Sequence, residues 1–172
     1  MSTTIDNSGL TLGSGVVISS AKLRKTYTLL SGTSVTFSGI PTWARRITLA
    51  FGNPIQLSGS DDVLLQFSST TTGYVSTCVS FNNASAAAGV NNTNGAGFYI
   101  FHNSTSYLIS GIATLQRATT TSWMYSFTCK NGTSNNGMAA GYVTGITAGS
   151  NLIIKPSGTN TFTSGYVIFT YE

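Results

Sequence analysis

Short runs in which apolar and polar residues alternate follow one another along most of this chain. Ile47–Phe51 and Ser122–Cys129 are examples, and clusters of Gly, Asn, Ser and Thr separate each run from the next. Alternation puts apolar side chains on one face of an extended chain, so each run predicts a half-buried β-strand. The predicted strands are Thr26–Leu30, Ser34–Phe37, Ile47–Phe51, Val63–Phe67, Tyr74–Phe81, Phe98–His102, Tyr107–Leu115, Ser122–Cys129, Gly141–Val143, Leu152–Lys155 and Tyr166–Tyr171.

Helical periodicity is weak throughout the sequence. The Ala-rich segment Asn83–Gly89 has no large apolar residue to mark a buried face, so we interpret it, with the whole stretch Asn82–Gly97, as a loop. Thr26–Leu30 and Ser34–Phe37 flank a Gly-containing turn and predict a hairpin. Roughly ten short strands with Gly- and Asn-rich turns predict an all-β protein, an antiparallel β-sandwich or jelly roll.

The chain divides into two regions of different character. Residues 1–25 hold only short β-prone pieces, Leu10–Leu12 and Val16–Ile18, and predict a short extended N-terminal arm or attachment segment. Residues 26–172 predict the β-sandwich domain. No apolar run is long enough to cross a membrane, and the opening residues lack the basic and apolar regions of a secretory signal, so we expect no membrane insertion.

Charged residues are scarce in this chain. Only 7% of residues are charged, against roughly 25% in an average soluble domain. The net charge of +4 reflects the shortage of acids, because the cations are scattered beyond the small groups Lys22–Lys25 and Arg45–Arg46, and we expect no nucleic-acid partner. Lys, Pro and bulges usually protect edge strands, and this chain has few Lys and Pro. The composition therefore favours a homo-oligomer.

Few residues in the chain have the chemistry that catalysis needs. The acids are Asp6, Asp61, Asp62 and Glu172, and the single histidine is His102. A glycosidase needs two opposed carboxylates, whereas the adjacent Asp61 and Asp62 are more consistent with shaping a turn. The sequence offers no zinc-ligand cluster, no nucleophile elbow and no phosphate-binding loop. We therefore predict that the protein is not an enzyme and has no catalytic residue, metal or cofactor.

Two cysteines, Cys78 and Cys129, lie in separate β-type runs. Either they are buried free thiols that behave as small hydrophobic side chains, or they form a disulfide between strands. A disulfide requires Cα atoms within about 7 Å of each other. The sequence leaves both interpretations open.

Aromatic side chains are the remaining candidates for ligand binding. Trp43 and Trp123 either stack on sugar rings, as in sandwich lectins, or bury their rings and satisfy the indole N–H beneath a loop. Tyr99, Tyr107 and Tyr142 are further candidate contact residues. On this interpretation the chain is a stand-alone carbohydrate-binding module whose partner is a host-surface glycan.

Four segments of the chain are more specific than the rest. The first, Gly39–Phe51, carries the motif Gly-Ile-Pro-Thr-Trp-Ala-Arg-Arg-Ile-Thr, and the others are Ser58–Phe67, Thr72–Ser76 and Gly158–Glu172. In the same order, they resemble segments of tailed-bacteriophage virion proteins in or near tail fibres. The resemblance runs from about residue 32 to the end, with a variable middle over Phe81–Asn136. Asn160 and Thr163 stand where the related chains carry aspartates, so no role of those acids carries over.

The resemblance implies a non-enzymatic β-rich virion component, often trimeric, on the tail or the capsid surface. The expected function is a short tail fibre or receptor-binding sandwich that attaches to other virion proteins through its N-terminal arm; the alternative is a capsid decoration protein. Within the motif, Pro41 fixes a strand exit and Trp43 can cap the core. We expect at least one of Arg45 and Arg46 to bind a carbonyl edge, Glu172 or a neighbouring subunit.

Overall fold

The computed structural model describes residues 4–6, 9–11, 17–18, 26–82, 85–100, 108–132 and 135–172. Every regular element within these residues is a β-strand, and all strand pairs are antiparallel. The strands are β1 (Thr4–Asp6), β2 (Gly9–Thr11), β3 (Val17–Ile18), β4 (Thr26–Leu29), β5 (Val35–Phe37), β6 (Arg46–Leu57), β7 (Val63–Phe67), β8 (Tyr74–Asn82), β9 (Ser85–Gly95), β10 (Phe98–Ile100), β11 (Ile109–Arg117), β12 (Trp123–Asn131), β13 (Asn135–Val143), β14 (Leu152–Pro156) and β15 (Phe162–Tyr171).

Two of the sheets pack face to face as a sandwich. The larger has eight strands in the order β4-β15-β6-β11-β12-β13-β8-β9, and the smaller has four in the order β10-β7-β14-β5. Buried apolar side chains from both sheets form one core cluster. The predicted antiparallel β-sandwich is therefore confirmed.

Alternation along the strands places the core residues as the sequence predicts. In β12, Trp123, Tyr125 and Phe127 are buried, whereas Met124 between them is exposed. Across the sandwich, Phe37 of β5 stacks on Phe169 of β15, with ring centroids 4.8 Å apart. Each fully buried large apolar side chain contributes about 1.5–3 kcal/mol, so contact between the two sheets is the main stabilising interaction.

The hairpin predicted from Thr26–Leu30 and Ser34–Phe37 is wrong. β4 pairs with β15 in the eight-stranded sheet, whereas β5 pairs with β14 in the four-stranded sheet. The chain changes sheets around Gly32, whose φ of 69° favours glycine and whose carbonyl accepts a hydrogen bond from Phe162 N at 2.9 Å. A turn signal predicts a change of direction but does not determine which sheet the second strand joins.

The interpretation of Asn82–Gly97 as a loop, including the Ala-rich Asn83–Gly89, is also wrong. Ser85–Gly95 forms β9, which pairs with β8 at one edge of the eight-stranded sheet. Backbone hydrogen bonds to β8 hold an edge strand whether or not its side chains alternate. The small and polar residues of β9 therefore give no apolar pattern to read.

Strand β6 is longer than the predicted Ile47–Phe51 and includes Pro54. The register with β11 shifts between Ile109 and Gly111, and the register with β15 shifts between Ser164 and Tyr166. Proline cannot donate to a ladder and is tolerated where a bulge interrupts the pairing. The register shifts on both sides thus explain why a central strand accepts Pro54.

Three short strands are described within residues 1–25. β1, β2 and β3 pair as an antiparallel sheet of their own, so where the predicted arm is described it contains paired strands. The group Lys22–Lys25, His102 and Tyr107 lie outside the described residues, and the interpretations attached to them stay predictions. The division into an arm over 1–25 and a sandwich domain over 26–172 is likewise a prediction.

Candidate functional site

The predicted arginine pair lies where β6 begins, beside the end of β15. Arg46 Nη1 lies 2.5 Å from Glu172 Oε1, and Arg46 Nε donates to Gln116 Oε1 at 3.2 Å. The main-chain N–H groups of Arg45 and Arg46 both donate to Glu172 O, at 2.7 and 2.9 Å. Arg46 therefore joins β6 to both neighbouring strands, β15 and β11. The side chains of Arg46 and Glu172 are 51% and 37% exposed, so water screens the pair, which contributes at most about 1 kcal/mol.

Arg117, at the end of β11, is a structural residue that the sequence did not reveal. Its guanidinium donates to the carbonyl oxygen of Thr42, to that of Thr119 at 3.1 Å and to that of Thr120 at 3.2 Å. It thereby holds the turn after β11 against the segment that leads into β6. No sequence motif marks such a residue, because its partners are main-chain carbonyls, which every residue has.

A second contact joins loops 58–62 and 157–161. Asp61 Oδ2 accepts a hydrogen bond from Asn160 N at 2.9 Å, across 99 positions of sequence. The two loops pack closely at Gly59, because a Cβ at this position would lie 2.2 Å from Asn160 Oδ1. The carboxylate of Asp61 therefore links two loops that are distant in sequence, a longer reach than the turn-shaping role the sequence suggested.

The two tryptophans have different environments. Trp43 is 49% exposed and lies edge-on to Tyr171, with ring centroids 5.8 Å apart. Trp43 lies within a turn that is closed by a hydrogen bond from Ala44 N to Pro41 O at 3.0 Å. Trp123 is 6% exposed and packs against Phe67. Trp123 therefore takes the buried alternative, and its ring face is not open to a ligand.

The tyrosines likewise lie on different surfaces. Tyr99 is half-buried in β10, and its carbonyl accepts a hydrogen bond from Tyr125 Oη at 3.0 Å. Burial, followed by the nearby Asp62 and Cys78, raises the pKa of Tyr99. Tyr142 is exposed on the opposite side of the large sheet from the core. Trp123 lies in the core, whereas Trp43 and Tyr142 are exposed. The predicted aromatic residues that the structure describes therefore do not form one site.

Both cysteines are buried thiols that form no disulfide, in agreement with one of the two interpretations of the sequence. β13 separates them, since Cys129 of β12 pairs with Gly137 and Cys78 of β8 pairs with Ala139. Two strand spacings amount to about 10 Å, which exceeds the Cα separation of a disulfide. Burial raises the pKa of the Cys129 thiol to about 11.

Exposed apolar side chains are concentrated on one surface of the eight-stranded sheet. Five of the eight large apolar side chains that are exposed in the described residues point outward from β8, β11, β12 and β13. They are Phe81, Ile112, Met124, Met138 and Tyr142. We call the outward surface of these four strands the outer face. Contiguous apolar surface of this kind marks interaction sites in soluble proteins.

The strand register aligns the outer face into rows. The first ridge consists of Ile112, Thr128, Met138 and Val79, and the second ridge of Gln116, Met124, Tyr142 and Val75. A furrow of smaller side chains separates them, formed by Thr114, Ser126, Ala140 and Thr77. A shallow trough of about 490 Å³ adjoins the first ridge, with Phe81 and Lys130 in its lining. Lys130 is the charged side chain that these strands direct outward.

The described residues hold neither a cluster of metal ligands nor a helix that could span a membrane. Within those ranges, no three His, Cys, Asp or Glu side chains come close enough together to hold a metal ion. The same part of the chain contains no helix with the length and apolar character needed to cross a membrane. Comparison with protein-family models, with curated proteins and with solved structures finds no match to this chain.

Proposed function

We propose that this chain is a non-enzymatic structural component of a tailed-phage virion, a short tail fibre or receptor-binding sandwich. The observation that carries the proposal is the spatial arrangement of the segments that resemble virion proteins. Gly39–Phe51 and Gly158–Glu172 are far apart in sequence, but they supply the neighbouring strands β6 and β15. Segments that resemble one protein class and also pack together act as one physical unit.

The contacts within this unit hold strand ends and loops in place. Arg46 and Glu172 close the end of the β6–β15 pair, and Asp61 joins the loop of the segment Ser58–Phe67 to Asn160 in the final segment. Charged side chains that bind one another and the main chain stiffen a subunit. This use of the few charges supports a structural role over a chemical one.

Immunogold labelling tests the proposal, with antibodies raised against the purified chain and virions of the phage that encodes it. Gold at the tail supports the fibre or receptor-binding role, and gold spread over the head supports the capsid decoration role instead. Intact particles that carry no gold, while the denatured chain is recognised on a blot, contradict both. A tail protein that binds receptor also protects host cells from infection when added in excess.

A glycan-binding module is the second candidate, and the exposed Trp43 favours it. Half of this side chain is open to solvent, and an indole face of this kind can stack on a sugar ring. Titration with host-surface oligosaccharides should then give saturable binding that Trp43→Ala abolishes. Trp123→Phe is the matched control, because the Trp123 ring lies in the core and should leave glycan binding unchanged.

A further inference from the structure

The outer face is largely apolar, with Lys130 as its outward charge, and its rows alternate between ridge and furrow. We propose that it binds the outer face of a second copy of this chain about a two-fold axis. The inference concerns the partner of one surface and is independent of the proposed place on a virion. Face-to-face packing of two sheets is the geometry of the β-sandwich itself, in which side chains of facing rows interdigitate.

The alternation of ridges and furrow provides the complementarity. Successive outward rows lie about 6.8 Å apart along the strands, because each residue advances about 3.4 Å and alternate residues share a face. The two-fold axis lies parallel to the rows, midway between the first ridge and the furrow. It places the first ridge of each copy, with Ile112 and Met138, over the furrow of its partner. The furrow residues Ser126 and Ala140 are small enough to receive them.

The charges of the outer face favour a copy of itself over an oppositely charged partner. β8 and β13 contain no charged residue, and β12 directs only Lys130 outward. At the corner of the sheet, Arg46 is neutralised by Glu172. Each face therefore brings Lys130 and the neutralised Arg46–Glu172 pair to the contact, so a strongly charged partner would find little to attract it.

The area of the surface matches what a stable complex buries. The first ridge continues across the sheet through Ala50 of β6 and Ile168 of β15, so six strands share the surface. A fourth outward row lies beyond the first ridge and consists of Ser110, Lys130, Asn136 and Phe81. Six strands span about 29 Å and the four outward rows about 27 Å, which gives about 780 Å². A standard protein–protein interface takes about 800 Å² from each partner.

A self-complementary face closes with two copies, so this contact forms a dimer and differs from the trimer that the sequence resemblance implies. Exposed edge strands could also join two chains, but through backbone hydrogen bonds and not through packing of side chains on the outer face. Side-chain substitutions in the middle of the outer face separate the two possibilities, because they leave the edges intact.

Sedimentation velocity of the purified full chain over micromolar concentrations tests the proposal. We expect a dimer in reversible equilibrium. Thr128→Lys puts an ammonium between Ile112 and Met138 and should weaken association tenfold or more, a change of at least about 1.4 kcal/mol. Thr36→Lys is the control, since Thr36 is an exposed threonine on the outward side of β5 in the other sheet, and should leave the dimer unchanged.

Mixing two variants makes the test specific for contact between copies. Thr128→Glu alone should weaken association to the same extent, whereas an equimolar mixture of Thr128→Glu and Thr128→Lys should restore association through opposite charges. Melting temperatures close to that of the wild type show that the variants fold. A monomeric wild type, a trimer, or a dimer that survives Thr128→Lys overturns the proposal, and none of these results bears on the virion labelling.

Discussion

The hydroxyl of Tyr74 replaces a missing strand at the end of the four-stranded sheet. β10 begins opposite Leu65, so the neighbouring strand does not reach Phe67. Tyr74 Oη lies there instead and accepts a hydrogen bond from Phe67 N at 2.6 Å. Tyr74 is fully buried, and its ring meets that of Phe98 edge-on at 5.0 Å. The N–H of Phe67 therefore depends on one buried side-chain oxygen.

Tyr74→Phe keeps the ring and removes only the oxygen. A buried donor left without a partner costs about 1–3 kcal/mol, so we expect the free energy of unfolding to fall by about 2 kcal/mol. Each kcal/mol lowers Tm by about 2–4 °C in a chain of this size, which predicts a decrease of about 4–8 °C. Urea unfolding followed by circular dichroism measures the free-energy change, and calorimetry measures Tm.

Tyr142→Phe is the matched control, because Tyr142 is exposed in the single chain, and the variants are compared at a protein concentration at which the chain is monomeric. We expect this substitution to change the free energy of unfolding by less than about 0.5 kcal/mol. If Tyr74→Phe proved as neutral as the control, the argument that Phe67 N–H has no other acceptor would be wrong.

Three further perturbations follow from the same structure. Arg46→Ala should lower the free energy of unfolding by about 0.5–1 kcal/mol, a small loss because the ion pair is exposed; an unchanged Tm and assembly state would contradict this. Gly111→Ala should cost about 2 kcal/mol or more, since its Cβ would lie 2.2 Å from the Thr128 carbonyl oxygen; unfolding at the wild-type urea concentration would refute the clash. Burial raises the pKa of Cys129 from 9.0 to about 11 and that of Tyr74 from 10.0 to about 12, so the folded chain keeps protons that the unfolded chain releases. Stability should be complete below about pH 9 and fall as the pH rises from there to about 12, and urea midpoints that stay constant over this range would exclude the effect.

The sequence predicts those strands whose apolar residues alternate against a core. Ser122–Cys129 is an example, because the buried positions of β12 are marked by three aromatic side chains and a cysteine, Trp123, Tyr125, Phe127 and Cys129. Prediction from alternation fails for β9, because backbone pairing at the edge of a sheet needs no alternating apolar residues. It also fails at Gly32, because a local turn carries no information on which sheet the next strand joins.

The candidate sites show the same limit. The proximity of Arg46 to Glu172 was among the predicted possibilities because few acids are present in the chain to pair with the arginines. Arg117 was missed because main-chain carbonyls are its partners. The outer face was missed because alternation identifies outward positions on each strand, whereas only the register aligns Ile112 with Met138 in one row.

Quantitative mass spectrometry of gradient-purified virions tests the central claim, that this chain is a virion structural component, most directly. We expect the intact chain to co-purify with the particles at a constant number of copies relative to the major capsid protein, through repeated high-salt washes. Trace amounts that vary between preparations, or the loss of the chain in the wash, would contradict it.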